Sequence, residues 1–199
     1  MKLIFIIILL TITLSVSADS SNKFVSVSTE FELTKPTEWH FVTAEEHLNN
    51  LKKVEMTDDE FKQLMLKYST APLVAMIKYE EPFNDLNPSF KVNIKPLGQL
   101  KGADPKQILG LFLPQFERLF KDFSLEQQPI DMTISGLNAG YMRINYSLAI
   151  PDGRTFPTTS ELWIVPRGNY FFMIGAGTRQ DEKTGSRDEI KEILSSIAM

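Results

Sequence analysis

The chain has 199 residues, 21 of them basic and 25 acidic, so its formal net charge is −4, and it contains no cysteine. Acidic and basic residues are interspersed, which argues against nucleic acid or an anionic membrane surface as a partner. The absence of cysteine excludes disulfides and thiol chemistry, so a domain of this size must be held by core packing alone.

The first predicted element is an apolar segment at the N-terminus. Lys2 precedes an apolar run from Leu3 to Val16, and small residues follow up to Ala18. The run is about 14 residues long, which fits the core of a signal peptide and falls short of the roughly 20 residues that span a bilayer. We therefore predict a signal peptide at 1–18. Cleavage would leave 19–199 as a single α+β domain in the periplasm or secreted, with no stable membrane insertion; an uncleaved anchor is the alternative.

The next part of the chain contains short strands and a helix. Alternation from Phe24 to Leu33 predicts one strand near a sheet edge, and 39–41 forms a second extended piece. Thr43 and Glu46 have the spacing of a capping box, in which each residue caps the backbone of the other. Apolar residues at helical spacing then predict a helix from about Asp58 to Tyr68.

The middle of the chain predicts two strands and an interrupted helix. The strands are Pro72 to Glu81 and Ser89 to Pro96, joined by a loop at 82–88. Asp104 and the proline after it open a helix whose apolar stripe extends to Phe123. Pro114 lies within that stripe and removes one backbone hydrogen bond, so a kink or a break is expected there.

The C-terminal third predicts a meander and a last helix. Apolar residues alternate with polar ones in Tyr141 to Ile150, and Trp163 alternates with the apolar residues on either side of it, as expected of a sheet covered on both faces. We predict an α+β fold whose central antiparallel sheet is flanked by helices on both faces. The predicted strands are 130–134, 141–150, 158–165 and 170–176, and the last helix is 187–197.

The order of these elements and a few residues resemble a known family. The opening strand leads into FELTKPTEW from Phe31 to Trp39, and an Asn87-Pro88 pair separates two strands. This pattern resembles the PsbP-like superfamily of exported proteins, including its DcrB-like members, over about 24–197. Glycine often precedes the tryptophan there, whereas this chain has Glu38. The resemblance implies an α/β/α sandwich and a docking or accessory role without catalysis, and it transfers no functional residue by position.

The residues that carry catalytic or metal chemistry are few. His40 and His47 are the two histidines, and without cysteine they cannot complete a structural zinc site. The acidic cluster at 58–60 fits a helix N-terminus better than a calcium loop. The glycines of 175–177 lack the third glycine of a phosphate-binding loop. We therefore expect no cofactor and no metal. Asn145 begins a glycosylation sequon that only a eukaryotic host would use.

Aromatic residues are the candidates for a ligand or partner surface. Aromatic side chains line the clefts of many binding proteins, although each of them is also an ordinary core residue. The four that we single out are Trp39, Phe83, Tyr141 and Trp163.

Three hypotheses of function follow. The first is an accessory or docking protein of the cell envelope that binds a protein or a small apolar ligand. The second is an envelope hydrolase that uses two carboxylates, such as Asp152 and Glu161, which would have to converge within roughly 5 to 10 Å. The third is a secreted effector or inhibitor that presents a rigid loop at 80–89. The oligomeric state stays open.

Overall fold

The structure is a computed structural model that describes residues 22–43, 45–46, 72–150, 152–181 and 185–199. The predicted signal peptide, His47 and the predicted helix at 58–68 lie outside the described residues. The strands are β1 Lys23–Ser26, β2 Phe31–Thr34, β3 His40–Phe41, β4 Val74–Ile77, β5 Ser89–Pro96, β6 Lys121–Ile134, β7 Leu137–Ala149, β8 Thr155–Arg167 and β9 Tyr170–Arg179. The helices are α1 Pro105–Gly110, α2 Leu113–Leu119 and α3 Ser186–Ser195, with a 3-10 turn at Gly98–Leu100.

Seven strands form one antiparallel sheet in the order β3-β4-β5-β9-β8-β7-β6, and β1 and β2 form a separate hairpin. The strands from β6 to β9 follow one another as a meander. The meander joins β4 and β5 through the pairing of β9 with β5, which runs from Ser89 opposite Gly177 to Pro96 opposite Tyr170. The apolar strand β9 therefore lies in the middle of the sheet, and the fold is of the α+β class.

The segment from Phe24 to Leu33 forms a hairpin, so the predicted single strand is wrong. Phe24 pairs with Leu33 across the hairpin. The chain turns at 27–30, where Glu30 has a φ of 50° and its N–H donates to the Val27 carbonyl. Both arms have the same alternation, so the periodicity alone does not reveal the turn between them.

The helical segment breaks at its proline, as predicted. Asp104 caps α1 by accepting a hydrogen bond from the Lys106 N–H at 2.9 Å. Pro114 lies in the first turn of α2, where the missing N–H has no intrahelical partner to lose. Helix α2 ends at Leu119, earlier than predicted, because the backbone becomes extended at Phe120. Phe120 lies past its end and stacks on Tyr146 of β7 at 4.1 Å between ring centroids.

The meander is longer than the sequence predicts. Strand β6 begins at Lys121, nine residues before the predicted start at Ile130, and β7 begins at Leu137 directly after a tight turn. The first half of β6 contains polar residues and Pro129, which obscure the apolar alternation by which a strand is predicted. A proline is tolerated there because β6 is at the edge of the sheet, and its pairing with β7 shifts register on both sides of Gln127.

Apolar clusters cover both faces of the sheet. Trp163 and Ile164 are neighbours on β8 and therefore point to opposite faces. On the Trp163 face, α3 and the β1–β2 hairpin contribute Ile190, Ile193, Phe31 and Leu33 to one cluster. On the Ile164 face, α1 contributes Ile108 and Leu109 to a second cluster. No helix in the described ranges is long and apolar enough to cross a membrane.

Candidate functional site

A pocket of about 620 Å³ opens on the Ile164 face of the sheet. Its floor comes from β4, β5 and the adjoining ends of β7 and β8, and the segment 81–87, here called the pocket loop, forms its wall. The volume lies within the roughly 300–1,000 Å³ of small-molecule sites. The apolar side chains that line it are Val42, Ala75, Ile77, Pro82, Phe83, Leu86, Leu148, Ile150 and Phe156.

Two arginines attach the pocket loop to the sheet. Arg154 Nη1 donates to the Asn84 carbonyl at 2.8 Å, and Arg179 Nη1 contacts Asp85 Oδ1 at 2.5 Å. Arg179 is the last residue of β9, and its side chain is only 14% exposed. Hydrogen bonds between an arginine and an acidic side chain are stronger than neutral ones, so these contacts fix the loop over the strand ends.

Asn87 and Phe83 hold the loop from inside. The Asn87 side chain accepts from the Tyr79 N–H at 3.1 Å and donates to the Tyr79 carbonyl at 2.7 Å, so it imitates a strand partner. Its amide also donates to Glu81 Oε1 at 3.0 Å. The Phe83 ring stacks on Tyr79 at 4.4 Å between centroids. The pocket wall is therefore held by contacts within the chain, and the polar atoms of the Asn87 side chain all have hydrogen-bond partners.

Among the residues that the structure describes, Lys91 is the one lysine that lines the pocket. It lies on β5, between Ala75 of β4 and Gly175 of β9, and it is partly buried. Burial lowers the pKa of Lys91, and the charge of Lys95 lowers it further, because both disfavour the charged ammonium. Within the described residues, no carboxylate pairs with Lys91 and no acceptor takes a hydrogen bond from it.

The acidic residues of the pocket have partners in the chain. Asp85 pairs with Arg179, and Asp152 pairs with Arg154 at 2.7 Å. The Arg154 N–H lowers the pKa of Asp152, which is exposed at the rim. Glu81 accepts from Asn87 and from the Phe83 N–H. The site thus combines apolar walls, rim acids that are ion-paired or hydrogen-bonded within the chain, and a lysine on its floor.

The four aromatic candidates lie in three places. Phe83 lines the pocket. Trp39 is fully buried in the cluster of the Trp163 face, and its Nε1 donates to Glu189 Oε2 at 3.1 Å. Tyr141 and Trp163 pair on adjacent strands of that face and stack at 5.3 Å between centroids. The structure therefore brings Tyr141 and Trp163 together and separates both from Phe83.

The stack of Tyr141 on Trp163 continues into a charged group. Arg143 lies 6.0 Å from the centre of the Tyr141 ring, and its guanidinium bonds Glu161 at 3.0 Å and Glu126 at 3.1 Å. Burial raises the pKa of Tyr141 to about 12, and the charge of Glu161 adds to the shift. The charged side chains of this cluster across β6, β7 and β8 therefore pair with one another within the chain.

The two carboxylates of the hydrolase hypothesis do not converge. Asp152 lies at the rim of the pocket, on the Ile164 face. Glu161 alternates with Leu162 and points to the Trp163 face, where it pairs with Arg143. The sheet lies between them, so this pair does not form an acid and base on one bond.

The other residues singled out from the sequence have ordinary surroundings. His40 lies 3.8 Å from Glu80 at the surface. Asn145 Oδ1 accepts from Thr159 Oγ1 at 2.7 Å in the middle of β7. Gly175 and Gly177 pair with Lys91 and Ser89 within the sheet. Among the described residues, no group of three or more His, Asp or Glu side chains could hold a metal ion.

Sequence reasoning missed Lys91 and both loop arginines. Lys91 alternates with Phe90 and Val92, which is the pattern of an ordinary solvated strand position. A glycine facing it on a central strand is the signal that this lysine lies against the sheet, but the pairing of β5 with β9 must be known first. The two arginines lie 70 and 94 residues from their loop partners.

Comparison with known proteins gives structural matches alone, since no family model and no curated protein matches the chain. LpqN, involved in cell envelope biogenesis of Mycobacterium tuberculosis, is 13% identical, and the match covers 92% of this chain and 86% of LpqN with a TM-score of 0.51. CyanoP, the cyanobacterial PsbP of Synechocystis sp. PCC 6803, is 11% identical over 89% of this chain and 91% of its own, with a TM-score of 0.50. The Ran-binding protein Mog1p of Saccharomyces cerevisiae is 11% identical over 88% of this chain and 93% of its own, at a TM-score of 0.47. LpqN and CyanoP confirm the resemblance as one of fold: the chain has the PsbP-like fold.

Proposed function

We propose that this PsbP-like domain is an exported accessory protein of the cell envelope that acts by binding and not by catalysis. The observation that carries the proposal is the pocket of about 620 Å³ with mostly apolar walls, closed on one side by a loop that two arginines hold in place. Such a site binds the apolar part of a small ligand or of a protein partner. Asp85 and Asp152 are each paired with an arginine and Glu81 is hydrogen-bonded within the chain, which suits binding better than proton transfer.

Two further arguments support an envelope role. The apolar segment at 1–18 predicts export. LpqN is described as involved in cell envelope biogenesis, and its fold is similar to this one. We also propose that the whole chain after residue 18 is one α/β/α sandwich, because α3 packs on the Trp163 face while α1 packs on the Ile164 face.

Binding of Nile red, a neutral apolar dye, tests the pocket. The full chain is expected to bind the dye with an increase in fluorescence, and Phe83→Ala is expected to weaken binding several-fold because it removes an apolar part of the pocket wall. Leu111→Ala is the matched control, since Leu111 is 64% exposed and lies outside the pocket. Equal loss of dye binding in both variants, or binding that Phe83→Ala leaves unchanged, would contradict the proposal.

A secreted effector or inhibitor is the second candidate, and the same clamped loop favours it. Glu80, Glu81 and Asn84 are exposed on a segment that Arg154 and Arg179 hold rigid. An inhibitor would use this outer side and not the pocket. Substitution of Glu80, which is exposed and does not line the pocket, by a bulky residue would then abolish capture of the partner and leave dye binding intact.

A further inference from the structure

The lysine on the floor of the pocket restricts the chemistry of its ligand. The Lys91 ammonium is partly buried beside apolar side chains and has no acidic partner among the described residues. A charge in such surroundings loses hydration without gaining a counter-ion, which is unfavourable unless a ligand supplies one. The floor therefore favours a ligand that carries negative charge.

Among the described residues, no acidic side chain of the rim pairs with Lys91. Asp85 and Asp152 are each committed to an arginine, and Glu81 to the Asn87 amide and a backbone N–H. Of the two cationic side chains in the described lining, Arg154 pairs with Asp152, so Lys91 leaves one positive charge for one negative charge on the ligand. A phosphate monoester carries close to two at neutral pH, and the second would stay unmatched between apolar walls. A carboxylate carries one.

The carbon stem of Lys91 lies against the sheet. Gly175 faces Lys91 on β9, and a Cβ atom there would lie 3.7 Å from Lys91 Cε. The lysine stem thus lies across a strand that has no side chain at this position. Ala75 lies directly opposite Lys91 on β4, and Ile77, Leu148 and Phe156 extend the apolar surface of the same pocket away from it.

We propose that the pocket binds a single-chain carboxylate, an amphiphile whose acid group pairs with Lys91 and whose hydrocarbon chain lies on the apolar floor. This inference rests on the proposed function, because it names the class of ligand for the same pocket.

Calorimetric titration of the full chain with dodecanoate, 1-dodecanol and dodecyl phosphate tests it. These ligands share one hydrocarbon chain and differ in the head group. The wild type is expected to bind dodecanoate at least about tenfold more tightly than dodecanol, since hydrogen bonds to charged groups are the strong ones. Lys91→Met keeps the length of the stem and is expected to remove this preference, whereas Lys95→Met, on the same face of β5 but outside the pocket, is expected to keep it.

The outcomes separate the two proposals. Equal affinity of the wild type for dodecanoate and dodecanol overturns the ligand class but leaves the binding function standing. Tighter binding of dodecyl phosphate than of dodecanoate overturns the choice of a carboxylate. A preference that survives in Lys91→Met overturns the role of Lys91. Absence of binding by all three ligands overturns the ligand class and the pocket function together.

Discussion

Trp39 and Glu189 are joined by a hydrogen bond of 3.1 Å between the indole Nε1 and the carboxylate Oε2, across 150 residues of chain. The same oxygen contacts Lys78 Nζ at 2.8 Å. The lysine side chain is 8% exposed and the glutamate side chain 23%. Glu189 thus links Trp39, directly before β3, and Lys78, directly after β4, to the helix α3.

Glu189→Ala is therefore expected to lower the free energy of unfolding by about 3 kcal/mol, because it removes a carboxylate that faces a buried ammonium. Urea denaturation measures the change. Glu192→Ala is the control, since Glu192 is exposed on the same helix and its loss is expected to cost about 0.5 kcal/mol or less. Equal effects of the two substitutions would contradict this role of Glu189.

Gly140 is expected to tolerate no side chain. A Cβ atom there would lie 2.7 Å from the Pro105 carbonyl carbon and 2.8 Å from the Lys106 nitrogen, and both belong to the backbone of α1. Gly140→Ala must displace the helix and is expected to cost about 1–3 kcal/mol of stability. Gly110→Ala meets no atom within 4 Å and lies in a helix, so it is expected to be neutral or to stabilise by up to about 1 kcal/mol. Thermal denaturation of both variants checks the contrast.

The pocket loop is expected to loosen when its clamp is removed. Arg179→Gln loses the charged contact with Asp85, so amide hydrogen exchange across 81–87 is expected to accelerate roughly tenfold. Arg118→Gln, at an exposed arginine of α2, is the control. Unchanged exchange in the loop of Arg179→Gln would show that Arg154 and Asn87 alone hold it.

Tyr141 is expected to contribute to alkaline denaturation. Burial raises the pKa of Tyr141 to about 12, whereas an unfolded tyrosine titrates near 10. The folded state therefore favours the neutral phenol. The resulting stability is fully present below about pH 10 and is lost as the pH rises through about 12. Denaturation at pH 7 and pH 11.5 should show a smaller alkaline loss in Tyr141→Phe than in the wild type; an identical loss would contradict the shift.

The export prediction has a direct measurement. N-terminal sequencing of the protein from its native host is expected to begin at Asp19, since the apolar run is of signal-peptide length and ends in small residues. Retention of Met1 would make the segment an anchor.

Local features of the fold could be predicted from the sequence. Pro114 identified the break between α1 and α2, and the spacing of Thr43 and Glu46 identified a capping box. In that box the Thr43 N–H donates to Glu46 at 2.8 Å and the Glu46 N–H donates to Thr43 at 3.2 Å. Both features depend on residues within one turn of each other, so residue type and spacing are sufficient to predict them.

The pocket could not be predicted, because its parts meet only through pairings between distant strands. Ala75, Lys91 and Phe156 come from three strands of the sheet, and β5 reaches β8 only through β9. The beginning of β6 was also missed, since an edge strand with a proline and several glutamines has little alternation. Phe83 was singled out as an aromatic residue, and the structure places it on the pocket wall.

The contact between Glu32 and Ala198 has a consequence for the order of events in the cell. These residues exchange two backbone hydrogen bonds, from Glu32 N to the Ala198 carbonyl at 2.9 Å and from Ala198 N to the Glu32 carbonyl at 3.0 Å. The first hairpin thus pairs with residue 198, so this contact forms only after residue 198 has left the ribosome. A transport step that requires an unfolded substrate would meet the chain before this contact has formed.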